Sequence, residues 1–131
     1  MKRTTLLNSS LSAAIAEMGH TDSLVVGDCG LPVPTGVPRI DLAVTKGLPG
    51  FYPVLEAVLS ELCVEGVCIA QELKDGSPEG FARLASLFEG KRIEVIAHTE
   101  LKERMRAARA VVRTGECTPY LNIILYSGVA F

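Results

Sequence analysis

At 131 residues the chain is long enough for one buried core and too short for two. Its 13 lysines and arginines against 15 aspartates and glutamates leave a net charge of −2, with no general attraction to nucleic acid or anionic membranes. Apolar residues make up 48% and aromatics only 5%, so the core is aliphatic, and a mean hydropathy of +0.31 is high for a small, surface-rich domain.

Met1-Lys2-Arg3 is basic, and Ala14-Ile15-Ala16 has the small-x-small form of a secretory cleavage site. Only Leu6-Leu7 stand before the polar Asn8-Ser9-Ser10, too little for the apolar stretch of a signal peptide. The segment reads instead as an amphipathic helix, with Asn8 as N-cap, Leu11, Ile15 and Met18 as its buried stripe, and Gly19 as its stop. No run reaches membrane-spanning length, and the expected location is the cytoplasm.

Leu24-Val25-Val26-Gly27 reads as a short buried strand between turn residues. Residues 39–44 alternate polar and apolar, a half-buried strand, and Gly47-Leu48-Pro49-Gly50 turns the chain. Pro53 suits a first helical turn, and Leu55, Val58, Leu59 and Leu62 give that helix its stripe. Val67-Cys68-Ile69-Ala70 is a second buried strand. Ser77-Pro78 caps a helix faced by Phe81, Leu84, Ala85 and Phe88 and ended by Gly90. Residues 93–97 form a strand that delivers His98, and Thr99 is expected to cap a helix turning Leu101, Met105 and Ala108 inward. Val111-Val112, residues 121–126 and Val129-Ala130-Phe131 complete the strands.

This alternation predicts a single three-layer α/β/α domain over residues 1–131. The sheet is expected to be mixed, because the last strands lack helical connections. Chain ends fray unless tied down, so the apolar Val129-Ala130-Phe131 is expected in the core or an interface. Together with the high hydropathy, that predicts a homo-oligomer.

The basic run Lys102, Arg104, Arg106, Arg109 and Arg113 is broken by Glu103 and reads as a solvated helix face. Cys29, Cys63, Cys68 and Cys117 are expected to be reduced thiols. The x4 spacing of Cys63 and Cys68 is a poor zinc pattern, so no metal is expected. No signature supports a Cys29–His20 nucleophile pair.

His20 precedes the first strand, and Asp28 leaves its far end on a loop shaped by Gly30, Pro32 and Pro34. Strand ends are where α/β sheets place their chemistry, although a structural histidine and a turn-forming aspartate fit the same spacing. His98 leaves another strand end. Tyr120 and Asn122 stand two apart, which puts both on one face of an extended segment. A phenol with an amide suits the hydroxyls of a small polar ligand, and a core tyrosine beside a turn asparagine fits equally.

Gly19-His20-Thr21-Asp22, residues 28–34 (Asp28 to Pro34), Ile40-Asp41-Leu42, Gly47-Leu48-Pro49 and residues 113–122 (Arg113 to Asn122) closely resemble the D-ribose pyranase family. These are the ribose mutarotases of bacterial ribose uptake, related to L-fucose mutarotase. The likeness spans nearly the whole chain, through Gly128-Val129-Ala130-Phe131. Cys29 and Cys117 depart from it, standing where the family usually has alanine and phenylalanine. The resemblance implies an isomerase that interconverts β-D-ribopyranose and β-D-ribofuranose with no metal or organic cofactor. It also implies rings of subunits stacked as decamers, with D-ribose held between neighbours. Under it His20 is the general acid, and Asp28, His98, Tyr120, Leu121 and Asn122 are sugar-binding positions. An imidazole suits that role because its ordinary pKa lies near the working pH. A mutarotase for fucose or another monosaccharide and a non-catalytic sugar-binding protein are the alternatives.

Overall fold

A computed structural model describes residues Met1–Phe131. The strands are β1 (Ser23–Gly27), β2 (Arg39–Asp41), β3 (Val64–Ala70), β4 (Arg92–Ile96), β5 (Ala110–Arg113) and β6 (Ile123–Ser127). They form one sheet in the order β2-β5-β1-β6-β3-β4. β6 runs antiparallel to β1 and β3, while the β1–β5, β2–β5 and β3–β4 pairs are parallel. The sheet is therefore mixed, as the missing helix before the last strand predicts.

Side chains alternate between the faces of a strand, and here both faces are covered. Leu24 and Val26 join one apolar cluster and Val25 another; Ile123 and Leu125 divide from Ile124 in the same way. The larger cluster seats α1 (Ser9–Ala16), α2 (Phe51–Leu59), α3 (Gln71–Gly76) and α4 (Pro78–Ser86) through Leu11, Phe51, Leu55, Leu73 and Leu84. The smaller one seats α5 (His98–Arg104) through Leu101, together with Met105 just beyond it and Leu31 from the loop after β1. Three layers result.

Local capping explains two helix starts. The Asn8 side chain accepts the Leu11 N–H at 2.9 Å, and Ser77 accepts that of Gly80 at 3.2 Å ahead of Pro78. Thr99 does not cap α5: the helix begins at His98, with Ala97 at the N-cap. Its first N–H, that of His98, is taken by the Glu72 carboxylate of α3 at 2.8 Å, so a residue 26 positions back replaces the local cap.

Other boundaries also differ from expectation. α1 ends at Ala16 with Glu17 as C-cap, short of Gly19. The second strand stops at Asp41, because the chain then folds on itself and Val44 donates to the Leu48 carbonyl at 2.9 Å. Residues 129–131 are not a strand. The β3–β6 register runs out at the Val64–Ser127 pair, leaving Val129 and Phe131 exposed rather than in the core. The basic run is not one helix face, since Arg113 ends β5 and Arg109 precedes it. Its arginines are matched to carboxylates: Arg104 to Glu94 and Glu100, Arg106 to Glu103, Arg109 to Asp22 and Arg113 to Asp41.

Candidate active site

The direction of β6 decides where the pocket forms. The parallel strands β1, β4 and β5 end at one edge of the sheet, and antiparallel β6 begins at that same edge. The loops after β1, β4 and β5 and the turn before β6 therefore converge there. They enclose a cavity of about 340 Å³ whose polar lining includes Asp28, His98, Glu116, Tyr120 and Asn122. That is room for a small molecule.

Asn122 ties two of these loops together. It is 1% exposed, and its Oδ1 accepts the Asp28 N–H at 2.8 Å. Gly27 makes the approach possible: a Cβ there would lie 2.7 Å from Asn122 Oδ1 and would collide with Leu31. Asp28 in turn accepts the Gly30 N–H at 2.9 Å, which fixes its carboxylate at the cavity wall.

Tyr120 and Asn122 both line the cavity, but not for the reason their spacing suggests. Tyr120 has φ +62°, the left-handed region, and Asn122 N–H bonds back to its carbonyl at 2.8 Å. A tight turn, not an extended segment, brings them to one place. The Tyr120 ring meets the His98 ring edge-on, with centroids 5.1 Å apart and planes at 80°. Leu121 between them is buried in the larger core and does not line the cavity, so its side chain serves packing.

Burial pushes the His98 imidazole below its ordinary pKa and the charge of Lys102 adds to this, against the opposing pull of Glu72 and Asp28. The ring is thus neutral near pH 7. Its Nδ1 is buried without a hydrogen-bond partner in the chain. A neutral imidazole offers one donor and one acceptor, a match for a hydroxyl.

His20 is not in this pocket. It precedes β1, so it lies at the opposite edge of the sheet, a five-residue strand or roughly 16 Å away. Its Nε2 is 2.9 Å from Glu65 Oε2, with the two side chains 55% and 39% exposed. Within one chain, Asp28 therefore does not orient it.

Glu116 is the residue that sequence reasoning missed. Burial raises its pKa, but the N–H groups of Phe51, Thr118 and Cys117 and the Thr118 hydroxyl, at 3.0–3.3 Å, outweigh that and hold it below the usual carboxylate range. Beneath it, the buried Thr114 hydroxyl donates to the Gly27 carbonyl at 2.8 Å and accepts the Glu116 N–H. Gly115 is required there, because a Cβ would lie 2.6 Å from the backbone of Thr45 and Leu48. Phe51 is 65 positions away, so only the turn-rich composition of the loop hinted at this arrangement. No three His, Cys, Asp or Glu side chains are grouped to hold a metal ion.

Fold and pocket together define a small-ligand α/β domain whose polar groups, a carboxylate, an amide, a phenol and a neutral imidazole, suit a hydroxylated molecule. Residues 1–130 match the RbsD / FucU transport protein family, and the chain belongs to that family. The D-ribose pyranase of Clostridium perfringens (strain SM101 / Type A) is 53% identical over 131 residues, covering the whole of both chains. That of Coprothermobacter proteolyticus is also 53% identical with full coverage of both. The structure of Bacillus subtilis RbsD complexed with D-ribose superposes over the full length of both chains with a TM-score of 0.96 and 45% identity. The Streptococcus pneumoniae fucose mutarotase shares the fold, with a TM-score of 0.83 at 24% identity.

Proposed function

We propose that this chain is an isomerase that interconverts β-D-ribopyranose and β-D-ribofuranose by opening and reclosing the sugar ring. The observation that carries this reading is the full-length, 53% identity to D-ribose pyranases. The pocket supports it with polar groups suited to sugar hydroxyls.

Opening the pyranose breaks the bond from C1 to the ring oxygen. That oxygen gains a proton, and the anomeric hydroxyl loses one. The open aldehyde then rotates, the hydroxyl on C4 attacks C1, and the proton transfers reverse. Asp28, Tyr120, Asn122 and the main chain at Leu121 hold hydroxyls, and neutral His98 pairs with another through its unpartnered Nδ1. His20 supplies the proton to the ring oxygen, a step for which positioned acid catalysis gives ~10²–10⁴-fold.

His20 performs this step at the pocket of a neighbouring subunit. Its place at the opposite sheet edge and its exposure support that arrangement. So do exposed apolar side chains that a monomer leaves in water: Leu7, Val44, Leu48, Val129 and Phe131. The assembly is a homodecamer of stacked rings, working in the cytoplasm. Analytical ultracentrifugation tests its size.

Saturation-transfer NMR on ribose tests the activity, because it reads exchange between pyranose and furanose signals directly. Accelerated exchange on ribose is expected, with slower exchange on fucose. Saturable ribose binding without acceleration would instead make this a sugar-binding protein. Co-expressing His20→Ala with His98→Ala subunits tests the shared site. Hybrid oligomers regain exchange if the two histidines come from different subunits, and stay inactive if they come from one.

A further inference from the structure

We propose that Cys29 and Cys117 form a reversible disulfide across the rim of the pocket, a thiol-modification site that couples the enzyme to the redox state of its surroundings. The two residues are 88 positions apart, on the loops that follow β1 and β5, yet their Sγ atoms are 3.8 Å apart. Both line the cavity beside Asp28 and Asn122. The loops are already fastened to one another, since Cys29 N–H donates to the Glu116 carbonyl at 2.8 Å and Arg113 Nε to that of Cys29 at 3.1 Å. Closing the remaining gap to a bonded pair takes a shift of about 1 Å on each side.

The other two thiols do not compete. Cys68 is fully buried in β3, and burial pushes its pKa to about 11. Cys63 lies at the other end of the sheet, with its thiol toward the Val129 carbonyl at 3.4 Å. Within the pair the roles differ. Cys117 is exposed and Cys29 half-buried, and the hydrogen bond to Cys117, followed by burial, pushes the Cys29 thiol up. Cys117 therefore meets a reagent first.

The oxidant is a low-molecular-weight disulfide. The Cys117 thiolate attacks one of its sulfurs, forming a mixed disulfide and releasing one small thiol. Cys29 then loses its proton and attacks Cys117 Sγ, expelling the second small thiol. Two protein thiols are oxidised and one small disulfide is reduced to two thiols. The new bond draws the sulfurs from 3.8 Å to about 2.05 Å. Each sulfur belongs to a loop that lines the pocket, with Asp28 on one and Tyr120 and Asn122 on the other. A displacement of about 1 Å in such a site can cost ~10²-fold in rate.

The effect on turnover rests on the ribose reading, whereas the cross-link does not. The full chain is treated with oxidised glutathione and mapped by non-reducing peptide mass spectrometry, and ribose exchange is measured before treatment, after it, and after dithiothreitol. The expected result is a Cys29–Cys117 linked peptide, exchange lowered about tenfold or more, and recovery on reduction. Cys117→Ser and Cys29→Ala each keep exchange and become insensitive to the treatment. Glutathione adducts without the link, or a link with unchanged exchange, would overturn the proposal. A reduced chain that exchanges no sugar would count against the ribose reading, while the mapped peptide still decides the thiol site.

Discussion

At the C-terminal end of β1, Gly27 leads into an Asp28 whose N–H is held by the buried Asn122 at 2.8 Å, whereas at the N-terminal end an exposed His20 meets only Glu65. The first end is fixed by its own chain, through the Asn122 amide, the Thr114 hydroxyl and the Glu116 carboxylate. The second is held by one exposed pair, an interaction that contributes about 0–1 kcal/mol. A catalytic group needs sub-ångström placement. One edge of the sheet therefore carries a built pocket and the other a single exposed pair, and on the function proposed above a neighbouring subunit completes the placement of His20.

The largest effect that would sharpen this contrast is on turnover. His20→Ala is expected to lower ribose exchange ~10²–10⁴-fold while leaving the thermal unfolding midpoint near its original value. Unchanged exchange would break the comparison outright. Asn122→Ala strikes the opposite edge and should do the reverse. It leaves the Asp28 N–H without its acceptor, which costs about 1–3 kcal/mol in stability, read by urea unfolding, and it weakens ribose binding. Gly115→Ala pushes a methyl group into the backbone of Thr45 and Leu48 and should cost a similar amount, about 1–3 kcal/mol.

Smaller still is the pH response. His98 is depressed below 6.5 in the folded chain, so it binds fewer protons than the unfolded chain between its folded value and 6.5. Its contribution to stability is complete above pH 6.5 and is lost as pH falls through the lower folded pKa. Ribose affinity should follow the same course, and His98→Gln should flatten both curves in calorimetric titrations. Glu65→Gln should change stability least, by no more than about 1 kcal/mol, because both partners of the His20 pair are exposed.

Much of the fold was legible because its signals are local. β1 and β3 are buried runs, and the Asn8 and Ser77 caps act within three residues. The errors arose where a distant partner prevailed. Thr99 looks like a cap until Glu72 is brought beside the His98 N–H, and the apolar tail looks like a strand until β3 runs out of partners at Val64. The six-residue α3 is too short to show a periodic stripe. Asp28, His98, Tyr120 and Asn122 were legible as polar residues at strand ends, but the alternation argument for the last two failed because Tyr120 is left-handed. Glu116 stayed hidden because its role depends on Phe51 across the molecule.

By itself the sequence determined the aliphatic core, most of the alternation of strands and helices (short α3 and the strandless tail apart), and which residue types were available for hydroxyl recognition. These follow from side-chain chemistry and short-range periodicity, which the chain carries wherever it folds. Only the tertiary structure decided that β6 runs antiparallel between β1 and β3, and so which loops share an edge. The pairing of strands far apart in the chain gathers Asp28, His98, Tyr120 and Asn122 around one cavity, brings two thiols to 3.8 Å, and leaves His20 at the far edge.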